Sequence, residues 1–107
     1  MSLDPLEARR LARLQQEDRE NWRLAAHAAV AARLRAGGAA PEILAAARRQ
    51  IALWQQGRLC SGDYINAWQE VIAAGPQRVA EVLEERSPYG MRMRQNTPFA
   101  EHLAVIA

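Results

Sequence analysis

Apolar residues recur every three or four positions along most of this chain, and glycine, proline or a capping residue breaks the pattern at intervals. That period predicts helices rather than strands. The first helix is expected from Asp4 to the Gly37-Gly38 stop, over 4–36. Asp4 is a good N-cap, Pro5 suits the first helical position, and Glu7 stands where a capping box places its acid. An unbroken helix of this kind would be about 48 Å long at 1.5 Å per residue. Its apolar stripe is expected at Leu11, Leu14, Trp22, Ala25, Ala29, Ala32 and Ala36, with Asp18 interrupting it. The spacing of threes and fours is that of a heptad-like seam. Asp18 lies in a polar waist, Gln15 to Asn21, so either the helix bends there or its first turns leave the body and pack on something else.

A second helix is expected over 41–56, from Pro41 to a stop at Gly57, with Ile43, Ala47, Ile51 and Trp54 on one face and Gly57 as a left-handed C-cap. Ser61 caps a third helix over 62–74, whose inner face holds Tyr64, Ile65, Trp68, Val71 and Ile72. Cys60 before the cap is placed to pack on Ile65 as a hydrophobic staple. Gly75-Pro76 ends this helix and opens a fourth, over 76–86, with Val79, Val82 and Leu83 inward. Ser87-Pro88-Tyr89-Gly90 is read as its end. The remainder, 87–107, reads as an irregular tail. Alternation of Met91, Arg92, Met93 and Arg94 suggests an extended piece, and a short last helix capped by Thr97 would carry Phe99, Leu103 and Ile106. The expectation is one all-α domain, a small bundle of four or five helices with a long N-terminal helix and a central helical hairpin.

Composition agrees with that fold class. The chain has 107 residues, half of them hydrophobic, which fits one domain and excludes the large barrel and doubly wound enzyme folds. Alanine dominates, Thr97 is the only threonine, and strand formers are scarce. All 14 basic residues are arginine. Arginine forks suit phosphates and carboxylates, but codon usage in a GC-rich genome is the favoured account, since it explains the abundant alanine as well. The formal net charge is only +2. Residues 1–36 carry seven arginines against five acids, and the two later thirds are balanced. No segment has the one-signed charge of a dominant phosphate-binding surface.

Candidate chemistry is thin. Cys60 is the only cysteine, so no internal disulfide forms, as fits a reducing compartment. Cys60 with His27 or His102 is the only thiol–imidazole option, and no glycine-rich oxyanion or phosphate loop accompanies it. His27, set among alanines, reads as a core-edge or surface histidine. No ligand spacing implies a metal, and no cofactor is implied. No signal sequence or membrane-length apolar run is visible, so a cytoplasmic location and no membrane contact are expected. A helix-turn-helix reading of the central hairpin offers Asn66 and Gln69 as base readers, but Asp63 and Glu70 beside them would repel phosphates. Trp22, Trp54 and Trp68 are read as one shared core cluster.

The hairpin Gln50-Ile51-Ala52-Leu53-Trp54-Gln55-Gln56-Gly57-Arg58-Leu59-Cys60-Ser61-Gly62-Asp63-Tyr64-Ile65-Asn66-Ala67-Trp68 resembles the short helical hairpins called the short C-terminal domain. The two tryptophans and Gly62-Asp63 depart from that pattern. The resemblance implies an interaction or oligomerisation role. With the residue patterns, the expectation is a non-enzymatic, bacterial-type regulatory domain acting through protein contacts. Self-association as a homodimer is assigned to Leu6, Leu11 and Leu14, because an exposed apolar stripe marks an interface. Contact with another protein is assigned to Arg92, Arg94, Gln95 and Phe99. The alternative is nucleic-acid binding through Arg86, Arg92, Arg94 and the Arg9, Arg10, Arg13 cluster.

Overall fold

Asp4 opens the first helix as its sequence requires: its Oδ1 accepts a 2.8 Å hydrogen bond from the Glu7 N–H, and Pro5 stands in the first turn. In the computed structural model, which describes residues 4–103, α1 then runs unbroken from Pro5 to Ala36. Gly37 stops it with φ +90°, a conformation that L side chains rarely adopt. The remaining helices are α2 (Ala40–Gly57), α3 (Gly62–Ala73), α4 (Pro76–Glu84) and α5 (Pro88–Gln95), followed by a single 3₁₀ turn at Ala100–His102. The fold is all-α.

Beside one-residue shifts at the start of α2 and the end of α3, three boundaries differ from the sequence expectation. Gly57 closes α2 as its last helical residue, and Arg58 takes the left-handed conformation (φ 54°, ψ 39°). A Cβ at Gly57 would lie 2.9 Å from Cγ of Leu59, an exposed side chain that would have to turn aside. The fourth helix ends at Glu84 rather than Arg86. Ser87-Pro88 is a start and not a stop. Ser87 Oγ accepts from the Gly90 N–H, Pro88 takes the first turn, and 91–94 is helical rather than extended. The same cap-then-proline order that opens α1 therefore opens α5. The apparent alternation at 91–94 reflects a helix with one buried edge, Gly90, Met93 and Arg94. Thr97 does not cap a last helix: its Oγ1 accepts from the Phe99 N–H two residues on, and the 3₁₀ turn at Ala100–His102 has Phe99 as its N-cap, with no side-chain hydrogen bond. Ile106 lies outside the described residues.

The C-terminal half of α1 packs most extensively on α4, and also meets α2 and α5; α3 bridges α2 and α4. The buried residues of α1 are Ala26, His27, Val30, Ala31 and Leu34. This is not the stripe that the three-and-four spacing predicted. Ala25, Ala29, Ala32 and Ala36 are all exposed. The larger apolar side chains Val30 and Leu34 set the inward face, because burial gains scale with apolar area and alanine offers little. Around them the core gathers Ile43, Ile51, Trp68, Ile72, Val79, Leu83 and Phe99. Cys60 sits half-buried at its edge and Ile65 within it.

The three tryptophans do not form one cluster. Trp68 is fully buried, with its ring edge-on to Phe99 at 5.4 Å and its indole N–H donating to the Asn96 carbonyl at 2.7 Å. Trp54 is half-buried against the core, and Trp22 is exposed. Extents of 51 × 31 × 26 Å describe an elongated molecule. Its long dimension follows from α1, whose N-terminal half runs clear of the other helices.

Candidate interaction surface

From Asp4 to Arg19 every residue of α1 is exposed except Gln16, which is half-buried. This stretch therefore rests on no other helix. It nevertheless carries Leu6 (74% exposed), Leu11 (45%) and Leu14 (51%), and Trp22 (42%) follows one turn past its end. These are the residues that sequence reasoning set aside for self-association, with Trp22 added. Trp22 was missed because its place in the stripe suggested core packing.

The geometry of α1 gives it two apolar faces. At about 100° per residue, Ala26, His27, Val30, Ala31 and Leu34 form the inward arc. Leu11, Leu14, Trp22, Ala25, Ala29 and Ala32 fall in an arc about 80° wide, centred roughly 150° from the first. The heptad-like seam is thus real but points outward. Asp18 falls at the centre of this arc, so the polar waist parts Leu11 and Leu14 from Trp22 and the alanines; exposed apolar patches of this kind mark interaction sites.

Charge frames this strip unevenly. Arg9, Arg10 and Arg13 precede the acids Glu17, Asp18 and Glu20. Among the described residues the ion pairs are Arg35–Glu84 and Arg78–Glu81. None of those six N-terminal charges takes part in one. Gln16 bridges locally, accepting from Arg19 and donating to Glu20.

At the other end of the exposed segment lies the junction of α1 with α5 and the tail. His27 is fully buried there. Its Nδ1 lies 2.6 Å from the Arg23 carbonyl and its Nε2 lies 2.8 Å from Thr97 Oγ1. A carbonyl only accepts, so Nδ1 carries the proton and Nε2 accepts from the threonine hydroxyl. Thr97 Oγ1 in turn accepts from Phe99 N–H. Burial pushes the His27 pKa below its ordinary 6.5; the hydrogen bond to the Arg23 carbonyl opposes this, and the charges of Arg94 and Arg23 add to it. Both ring nitrogens are engaged, and neither pairs with Cys60.

Arg94 is buried beside it and donates from Nη1 to the carbonyls of Glu85 (2.6 Å) and Leu83 (3.3 Å). It satisfies the free carbonyls at the end of α4. Burial lowers its pKa, while Glu85 and Glu20 act in the opposite sense.

These placements divide the residues assigned to an outside partner. Arg94 and Phe99 are inside the fold, spent on α4 carbonyls and on Trp68. Arg92 and Gln95 remain exposed. Arg92 borders a small hollow of about 90 Å³ with Asp63, Tyr64, Ala67, Tyr89 and Met93. Of the arginines considered for nucleic acid, Arg94 is withdrawn, while Arg9, Arg10, Arg13, Arg86 and Arg92 stay on the surface. The larger hollow, about 270 Å³, lies between α2 and α3 and is lined by Arg48, Ile51, Gln55, Gln69, Ile72 and Ala73. Sequence reasoning did not single it out; its lining mixes core residues with residues read as solvated.

Among the described residues no group of three or more His, Cys, Asp or Glu side chains could hold a metal ion, and no helix is long and apolar enough to cross a membrane. The molecule is thus an all-α bundle whose first helix extends well beyond it. No family model, curated protein or solved structure matches the chain. The likeness of 50–68 to the short C-terminal domain is therefore one of hairpin pattern alone.

Proposed function

We propose that this chain is a non-enzymatic interaction module of regulatory type that self-associates through the exposed half of α1. The observation that carries the reading is the solvent exposure of Leu11 and Leu14, on a helix segment that among the described residues rests on no other helix, and of Trp22 one turn beyond it. A segment of some sixteen residues, without tertiary packing, is a marginal helix in water on its own terms. A covering partner gives it a reason to stay helical, and a second copy is the simplest partner because two-fold dimers are the commonest assembly.

Leu6 is exposed as well but lies about 120° around the helix from the centre of the strip. Arg92 and Gln95 offer a separate exposed patch for a different protein. The buried histidine and arginine have structural tasks inside the fold, which supports a non-catalytic reading of both.

Light scattering at micromolar concentration tests the proposal. A dimeric mass is expected, falling to the monomer in the double variant Leu11→Glu, Leu14→Glu, with helix content of the bundle retained. A monomeric mass for the unaltered chain would remove the self-association reading.

A further inference from the structure

We propose that the hollow where α1 leaves the bundle is a phosphate site, held by Arg23, Arg86 and Arg94. The site is separate from the self-association proposed above, which uses the outer face of α1, and neither depends on the other.

The hollow measures about 180 Å³. Glu20, Asn21 and Leu24 of α1 line one side, Arg86 of the link between α4 and α5 another, and Met91 and Arg94 of α5 a third. A narrower hollow shares Glu20, Met91 and Arg94 with it and is lined by Arg23 as well. Three arginines from three parts of the chain therefore border adjoining concave surfaces.

Arg94 points to a ligand most directly. It is only 4% exposed, and a charge taken out of water is costly unless an opposite charge pairs with it. The carbonyls of Glu85 and Leu83 engage its Nη1 alone, and they bring only partial charges. Its Nε and Nη2 have no acceptor among the described residues. They are not sealed off either, because His102 Nε2 is the one fully buried side-chain polar atom without a partner there. Arg94 thus keeps donors that reach open space, and the open space its side chain lines is this hollow.

The local charges favour an anion. Among the described residues none of the three arginines takes part in an ion pair. Glu20 is the one acid in the lining, and its Oε1 already accepts from the Gln16 amide. Glu85 also acts on Arg94 from outside the hollow, with its Oε2 accepting from the Ser87 hydroxyl. The walls keep a surplus of two positive charges, or of one if Glu85 is included. A phosphate group, with a charge of about −1.5 to −2 and three outward oxygens, answers three guanidinium forks. A carboxylate is planar and has oxygens for two. Leu24 and Met91 add apolar margin on which the organic part of a phosphate monoester would rest.

Methyl NMR of the full chain, labelled at methionine, tests the site with inorganic phosphate as the probe. Ionic strength is held constant with chloride, since exposed charges respond to screening alone. The Met91 methyl is expected to shift and saturate, while Met93, which lines a different hollow, stays in place. Arg86 is exposed, so Arg86→Gln leaves the fold intact and is expected to weaken binding about tenfold, the loss of one charge-assisted hydrogen bond. Arg94→Met is expected to abolish binding; because it also frees the α4 carbonyls, Arg86→Gln decides. Phenyl phosphate serves as a second probe. Tighter binding than inorganic phosphate identifies an ester as the natural form, equal binding identifies the free ion, and both uphold the site.

The absence of a saturable Met91 shift in the unaltered chain would overturn the proposal. So would a shift that chloride reproduces, or one that Arg86→Gln leaves unchanged. Saturation by acetate but not by phosphate would overturn the assignment to phosphate. A monomeric or dimeric mass bears only on self-association.

Discussion

The imidazole of His27 and the hydroxyl of Thr97 meet 2.8 Å apart, although 70 positions separate them in the sequence. The contact ties the middle of the long first helix to the segment after α5. Because Thr97 also receives the Phe99 N–H, it sets the approach of the phenylalanine that packs on Trp68. One buried polar chain thus fastens the C-terminal tail to the bundle.

This chain makes stability depend on pH. The unfolded chain binds a proton on His27 near 6.5, whereas the folded site holds its pKa lower. Between those two values the unfolded state binds more protons, so the contribution is whole above about 6.5 and shrinks as pH falls below it. Urea unfolding at about pH 7.5 and about pH 5 is expected to show a lower midpoint in acid. His27→Gln is expected to flatten that difference while lowering the midpoint at the higher pH.

Thr97→Val keeps the shape of the side chain and removes its hydroxyl. His27 Nε2 and the Phe99 N–H then lose their shared partner, and an unpaired buried polar group costs about 1–3 kcal/mol. Thermal unfolding is expected to report a loss in that range, and Thr97→Ser to recover most of it. A value near wild type for Thr97→Val would show that the hydroxyl contributes nothing to the latch.

Arg94→Met retains the apolar stem but leaves the Leu83 and Glu85 carbonyls without their donor. Hydrogen bonds from charged groups contribute about 1.5–3 kcal/mol each, so a clear drop in unfolding temperature is expected. Arg94→Lys is expected to restore only part, because an ammonium lacks the guanidinium fork. Equal stability of all three chains would mean that the carbonyls are served by water.

Glycine substitutions should separate crowding from helix propensity. A Cβ at Gly90 would fall 2.1 Å from the Glu85 carbonyl oxygen, whereas at Gly62 it would meet nothing within 4 Å. Gly90→Ala is expected to destabilise by about 3 kcal/mol or more, beyond the usual overpacking cost. Gly62→Ala is expected to be neutral or slightly stabilising in the same denaturation assay.

The tryptophans offer a spectroscopic check of the packing. Acrylamide should quench Trp22 readily, Trp54 partly and Trp68 scarcely, in keeping with their exposed, half-buried and buried positions. Trp22→Phe is expected to remove most of the accessible fraction. If accessibility is unchanged in that variant, the exposed tryptophan is another one.

Sequence reasoning reached the helices because their ends are written in local chemistry. Asp4-Pro5, Gly37, Ser61 and Gly75-Pro76 each act on the few residues beside them, and each marks a helix end in the fold. Ser87-Pro88 uses the same chemistry and was misread only because a preceding helix had just ended. The exposed leucines were legible too, since the stripe had no evident counterpart. What could not be read was which face of α1 turns inward. Alanines satisfy a periodic pattern on either face, and the choice fell to Val30 and Leu34, whose larger surfaces gain more from burial.

The sequence by itself therefore determined the all-α class, most helix limits and the apolar strip near the N-terminus, because caps, propensities and periodicity act over neighbouring residues. Only the tertiary structure decided that Arg94 and Phe99 are buried, that Trp22 is not, and that His27 is locked to Thr97. Those outcomes depend on residues brought together from distant parts of the chain, and no local pattern encodes which of them will meet.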